Sequence, residues 1–393
     1  MELKKNIQLL NNIAAAGLEK LDPDRYETGT EFASPDAILV RSAAMHDMAF
    51  PESLVAIARC GAGVNNIPLD RCSAEGIVVF NTPGANANSV KELTLSALFL
   101  ASRKIVQGAN WIQTLKGSEG LSKTVEKGKS QFGGCEVAGK TLGVIGLGAI
   151  GGLVANAATH LGMNVIGCDP FLSVDAAWNL SHHIEKAASY EEIYRNADYI
   201  TLHVPATSET KGMICADTIA MMKPGVKLIN MARGDLIDPA AVKAALESGT
   251  ISSYVTDFAA DELLSVPGVI ALPHLGASTA EAEENCAAMA AKQLDAFLTD
   301  GNIRNSVNFP NVEIPYQPGS IRFVILHENI PAMISSLTAA FGERQINIDT
   351  LTNKSRGGNA VTVVEADAPA PAEMKAQLEA IPGVLRVHLI CHE

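Results

Sequence analysis

Three side chains suited to acid–base and carboxylate chemistry stand just beyond apolar runs in the second half of the chain. Arg233 follows Lys227–Met231 in LINMARGDLID, Glu262 lies five residues after Asp257 at the end of Ser253–Phe258, and His274 follows Val269–Leu272 in LPHLGAST. A guanidinium at a strand end can grip a carboxylate with two parallel hydrogen bonds. An imidazole titrates near pH ~6.5 and so can take or return a proton at neutral pH. A neighbouring carboxylate would hold its tautomer and favour the protonated form. Taken singly, each has a plainer reading: a turn arginine, a pair of loop charges at Asp261–Glu262, a structural histidine. Three strand ends offering Arg, Glu and His together suggest one site.

The cofactor for such a site is written between Lys140 and Asp169, KTLGVIGLGAIGGLVANAATHLGMNVIGCD. The apolar run Leu142–Ile145 breaks into Gly146, Gly148 and Gly151, a small-residue helical pattern follows, and a second apolar run, Asn164–Cys168, ends on Asp169. In a strand–turn–helix–strand unit the first glycine permits the turn, the second admits a pyrophosphate, and the third lets helix pack on strand. Helix N-terminal amides face the phosphates. An acid roughly 20 residues on accepts hydrogen bonds from a ribose diol and disfavours a 2′-phosphate, so NAD is the expected dinucleotide. No charged residue occurs from Thr141 to Cys168, a length that could span a bilayer. Interrupting glycines, Asn156, Thr159, His160 and Asn164, with a change of period midway, read instead as buried sheet and helix. Beside a nicotinamide, Arg, Glu and His fit hydride transfer: Arg holds the acid and His takes the hydroxyl proton.

These positions need elements to carry them. Apolar runs at Ile7–Leu10, Ala37–Val40, Leu54–Ala58 and Ile77–Phe80 read as buried parallel strands with short helices between. A long helix is expected from Ser89 to about Leu115, followed by an exposed Gly- and Lys-rich loop over 116–138. Strands at Tyr199–Val204, Lys227–Met231, Ser253–Phe258 and Val269–Leu272 continue the second unit, and alternation of this kind argues for a doubly wound sheet. A helix over Ala280–Thr299 leads to NFPNVEIPYQPGS, an extended linker. Beyond it, strands at Ile321–Leu326, Ile346–Lys354, Ala360–Ala366 and Val384–Ile390 alternate with helices to give βαββαβ, a ferredoxin-like sandwich. The fold class is α/β: two Rossmann-like doubly wound parallel-sheet domains plus the C-terminal module. The expected domains are 1–90 with 283–312, 91–282, and 319–393.

Charge and cysteines narrow the partners. A net charge of −13 argues against a nucleic-acid or anionic-membrane surface, so an anionic ligand must be met by individual cations. Arg41 follows one N-terminal strand, Arg59 follows another and precedes CGAGVNN, and Asn86 sits in NTPGANANS; together they imply an anionic substrate. The start, MELKKNIQLL, lacks a signal-peptide pattern. Seven scattered cysteines with no CxxC pair suggest neither a zinc site nor a disulfide framework, and a reducing cytoplasm is the expected home.

RSA at Arg41–Ala43, RCGAGVNNI at Arg59–Ile67, GLGAIG at Gly146–Gly151, DP at Asp169–Pro170, HVP at His203–Pro205, NMARG at Asn230–Gly234 and PHLGAST at Pro273–Thr279 together resemble the D-2-hydroxyacid dehydrogenases. LHENIPAM at Leu326–Met333 with INI at Ile346–Ile348 resembles an ACT domain. The resemblance implies NAD-dependent oxidation of 3-phosphoglycerate in a homo-oligomer joined through its ACT modules. It makes Arg233, Glu262 and His274 catalytic, with Glu262 paired to His274. It assigns Ala62, Gly146, Gly148, Ala149, Ile150, Gly151, Asp169, Val204, Met231, Ala232, Asp257, Gly276 and Ala277 to the cofactor. Arg41, Arg59 and Asn86 would hold the substrate, while His327, Asn329 and Asn347 match an L-serine effector site. Leu263 stands where the family usually has proline after the glutamate, and Ala332 where glycine commonly follows Pro331.

Overall fold

The computed structural model describes residues 4–315, 321–367 and 371–391, and the chain divides into two compact units, 1–85 with 283–393, and 86–282. The end of the expected linker, 316–320, lies outside the described residues.

In the first unit, strands β1 (Lys5–Leu10), β2 (Tyr26–Gly29), β3 (Ala37–Val40), β4 (Ala56–Arg59) and β5 (Val78–Phe80) form a parallel sheet in the order β2-β1-β3-β4-β5. β2 is absent from the sequence reading because YETG exposes two polar side chains at a sheet edge. The sheet is apolar on both faces, as its unbroken hydrophobic strands require. Ala37, Leu39, Ala58 and Phe80 enter one core, Ile38, Val40, Ile57 and Val79 the other.

The second unit carries β6 (Thr141–Ile145), β7 (Asn164–Cys168), β8 (Ile184–Lys186), β9 (Tyr199–Leu202), β10 (Val226–Asn230), β11 (Ile251–Thr256) and β12 (Val269–Ala271). Their order is β12-β11-β10-β9-β6-β7-β8, all parallel. The register runs Cys168↔Ile145↔Leu202↔Asn230↔Thr256↔Ala271. Six strands thus finish level, and the residues that follow them share one rim. Two expectations change in this unit. The long helix is two, Ala87–Ser102 and Ile105–Thr114, broken where Arg103 turns extended. The expected loop after it holds a helix at Leu121–Gly128 and a 3-10 turn at Lys129–Phe132, with the Trp111 and Phe132 rings 5.1 Å apart. Their hydrophobic period is diluted by lysines, which hid the helix.

The C-terminal module is an antiparallel sheet of β13 (Ile321–Glu328), β14 (Ile348–Arg356), β15 (Asn359–Ala366) and β16 (Val384–Cys391), in the order β14-β15-β13-β16. Helices Met333–Glu343 and Pro371–Glu379 cover one face through Phe323, Ile325, Leu337, Phe341, Met374 and Leu378. Among the described residues no helix is long and apolar enough to cross a membrane.

Two histidines are held neutral by the packing. Burial pushes His203 down to about 4, and burial, with Arg386 next, pushes His388 down to about 3. Both charge near pH 6.5 once unfolded, so their contribution is complete above that pH and is lost as pH falls toward those values. Each histidine then costs up to ~1.4 kcal/mol per pH unit. Urea midpoints should fall between pH 6.5 and 5, and His388→Phe should flatten the slope; an unaltered slope would clear His388 of the effect.

Candidate active site

The glycine turn is built as its spacing demands. Gly146 has φ +88°, and a Cβ there would stand 2.6 Å from the His203 carbonyl oxygen. A Cβ on Gly151 would lie 1.9 Å from the Gly146 carbonyl oxygen, so only glycine lets the Ala149–His160 helix start this close to β6. Gly148 is different: no heavy atom comes within 4 Å of its virtual Cβ. That open cradle, followed by Ala149 and Ile150 in the first helical turn, fits a pyrophosphate. Across the rim, Asp169 accepts from the Leu147 amide (2.9 Å) with one oxygen and the Phe171 amide (2.9 Å) with the other. The carboxylate is thereby pinned at the end of β7, where a ribose diol belongs.

Asn230 shapes the next turn. Fully buried at the end of β10, it donates to the Arg233 carbonyl (2.9 Å) and accepts from the amides of Ala232 (3.1 Å) and Arg233 (3.3 Å). The side chain satisfies the backbone groups of the turn beyond β10 and sets the bend that carries Arg233. Met231 enters the core on one side of the sheet, Ala232 and Val204 pack on the other. This buried polar residue within an apolar strand was its own signal in LIN.

Asp257 is 2% exposed. Its Oδ2 accepts from the Gly276 amide at 3.1 Å, while Oδ1 is sealed from solvent without a partner among the described residues. Burial raises its pKa, opposed in turn by the Gly276 N–H, the His274 ring and the Arg233 guanidinium. Gly276 and Ala277 therefore follow His274 in a turn that is bonded to Asp257 itself. His274 adopts φ +33°, a conformation that costs a β-carbon residue ~1–3 kcal/mol and tends to persist where surroundings impose it. Its amide is held by the carbonyls of Asp257 (3.0 Å) and Leu272 (3.2 Å), and its ring leans on Phe258 at 4.7 Å. Arg233, Asp257, Phe258 and His274 line a single cavity of about 720 Å³, with Lys211 and Tyr254 also in its wall, a size usual for small-molecule sites.

The expected Glu262–His274 pair is not formed. Glu262 occupies the exposed 3-10 turn Asp261–Leu263, outside the cavity wall, and makes no hydrogen bond or ion pair to His274 among the described residues. Leu263 is buried in the core and anchors that turn with the glutamate facing solvent. Asp257, one strand-end position earlier, is the carboxylate whose charge the His274 ring favours. Phe258 and Asn230 were not singled out as site residues by the sequence.

In the first unit Arg41 and Arg59 finish adjacent strands, β3 and β4. The Arg59 Nε donates to the Arg41 carbonyl (3.1 Å), and the Arg41 guanidinium meets Glu283 at 2.6 Å. Ala62 is fixed by its carbonyl, which accepts from Asn81 at 2.6 Å. Asn86 precedes the Ala87–Ser102 helix without capping it. In the module His327 is buried, with Nδ1 at the Glu328 carbonyl and Nε2 at the Thr362 hydroxyl, both 2.8 Å. That ring has no nitrogen left for an effector, contrary to its expected role. Asn329 donates to the Gly357 carbonyl at 3.1 Å, and Asn347 is exposed.

Gly151→Ala tests the turn. Overpacking against the Gly146 carbonyl should cost ~1–3 kcal/mol in thermal unfolding and weaken NADH binding in a fluorescence titration; wild-type behaviour in both would contradict the close approach.

Residues 95–276 match the family model for the NAD-binding domain of D-isomer specific 2-hydroxyacid dehydrogenases. The D-3-phosphoglycerate dehydrogenase of Haemophilus influenzae is 32% identical over 353 residues, 86% of this chain and 81% of that protein. The enzyme of the same name from Methanocaldococcus jannaschii is 38% identical over 267 residues, 66% of this chain and 49% of that protein. Against several such relatives the chain spans about half their length. A solved structure, the NAD+-bound 3-phosphoglycerate dehydrogenase of Entamoeba histolytica, superposes with TM-score 0.61 at 26% identity, covering 78% of this chain and 99% of that one. With the glycine turn, the strand-end cavity and a relative matched along four-fifths of its length, the chain belongs to the D-isomer specific 2-hydroxyacid dehydrogenases.

Proposed function

We propose that this protein oxidises 3-phospho-D-glycerate to 3-phosphohydroxypyruvate with NAD, the opening step of L-serine synthesis. The observation that carries the reading is the cavity where Arg233, Asp257 and His274 meet at the level strand ends of a dinucleotide-binding sheet. The match to the Haemophilus influenzae D-3-phosphoglycerate dehydrogenase along most of its length supports the choice of acid.

NAD supplies the acceptor for the substrate's C2 hydride. Gly146, Gly148 and Gly151, with the amides of Ala149 and Ile150, hold its pyrophosphate, and Asp169 holds the adenosine ribose while repelling a 2′-phosphate. Ala62, Val204, Met231, Ala232, Gly276 and Ala277 form the cofactor's walls. Arg233 binds the substrate carboxylate bidentately. His274 removes the C2 hydroxyl proton as the hydride departs, leaving the ketone. Asp257, charged, stabilises the imidazolium so formed. Arg41, Arg59 and Asn86 hold the phosphorylated end of the acid. Asn329 and Asn347 bind L-serine between paired modules of a homo-oligomer.

NADH consumption with 3-phosphohydroxypyruvate should exceed that with glyoxylate and unphosphorylated hydroxypyruvate; equal rates on all three would sink the assignment. Calorimetric titration with L-serine should give saturable heat that Asn347→Ala abolishes, and no heat from the parent protein would remove the effector.

A further inference from the structure

We infer that the C-terminal module is an obligate half of the first unit's core, so that 4–85, 283–315, 321–367 and 371–391 open and close as one cooperative body. A detachable regulatory sandwich would keep one sheet face solvated, as antiparallel sheets commonly do, and its strands would alternate apolar with polar. Here β13 reads FVIL and β15 reads AVTVV. Phe323 and Ile325 meet the module's own helices, whereas Val324 and Leu326 enter the cluster that holds Leu39, Ala58 and Phe80 of the parallel sheet. Val361, Val363 and Ile390 join them, at 8% exposure or less. The fit is close: a Cβ on Gly301 would come within 2.3 Å of the Val324 side chain.

Polar contacts fix the register of that docking. Arg322, fully buried, pairs with buried Glu365 inside the module. Its remaining donors reach out to the carbonyls of Asp300 (2.7 Å), Ile314 (3.2 Å) and Pro315 (2.9 Å), closing the C-terminus of the Ala280–Asp300 helix. A guanidinium this far from water is tolerable only with its donors satisfied, so the clamp and the docked state require each other. Arg386 donates to the Glu52 and Leu54 carbonyls (3.1 and 2.8 Å), just before β4. Asn359 donates to the Asn308 carbonyl (2.9 Å), and the Asn308 side chain in turn bonds the Val79 amide and the Ile77 carbonyl, both at 2.9 Å. The module thus grips β4, which neighbours β3, and β5 beyond it, and a ligand on it acts through their stability rather than through release of a tethered domain.

Native-state hydrogen exchange of the full chain under sub-denaturing guanidinium tests this. Peptides from β3–β5 and from β13 and β15 should converge on one opening reaction. Arg322→Met, which strands Glu365, should speed exchange in both sets by the same roughly 10²–10³-fold. Arg386→Ala, at the rim, should do so by about tenfold where the first variant fails to fold. Module peptides that exchange through a cheaper opening while β3–β5 stay protected would overturn the inference, as would acceleration confined to the module.

Discussion

Everything at the candidate site depends on six parallel strands ending level. Parallel hydrogen bonding allows no slip of one residue without turning every side chain to the opposite face, and both faces of this sheet are buried. Asn230, Thr256 and Ala271 therefore stand side by side, and the residues after them emerge at one height. Arg233, Asp257 and His274 reach the same cavity although 41 positions separate the first from the last. The glycine turn rises from the same rim, because Ile145 pairs with Leu202 and Leu202 with Asn230.

On that rim the chemistry is set by how backbone groups are satisfied. Asn230 spends its amide on the turn that carries Arg233, and Asp257 spends one carboxylate oxygen on the Gly276 amide. The other oxygen is buried with no partner among the described residues, which raises the cost of its charge and makes a nearby cation or proton donor valuable. His274, bent into a positive φ by bonds to Asp257 and Leu272 and backed by Phe258, is the group so placed. In an acidic chain the cations are individually managed as well: Arg41 pairs with Glu283, while the Arg233 guanidinium turns back to the Ala232 carbonyl.

The C-terminal module shows the same economy. Its central strands β13 and β15 are apolar on both sides because each side has a partner, and the buried Arg322–Glu365 pair is fixed by carbonyls from outside the module. Ala332 takes φ +66° at the start of the Met333–Glu343 helix, a conformation for which glycine is the unstrained choice. Only a single methyl separates this chain from that choice, and the residue is exposed, so the strain is borne without displacing the core.

The sequence alone determined the element types, most strand positions and the dinucleotide turn, because these follow from local physics: unbroken apolar runs, glycines where Cβ cannot fit, an acid after the second strand. It also placed Arg233, Asp257 and His274 at strand ends, since apolar runs stop where the sheet stops. Only the tertiary structure decided which carboxylate faces His274. The resemblance pointed to Glu262, but the burial of Leu263 holds that short turn with Glu262 in water, while the His274 amide is tied to the Asp257 carbonyl and its ring favours the charge on Asp257. Likewise, the resemblance assigned His327 to an effector site, whereas the fold decided that Thr362 and Glu328 engage both its nitrogens. Side-chain partnership across tens of residues is a property of packing direction, and no local pattern encodes it.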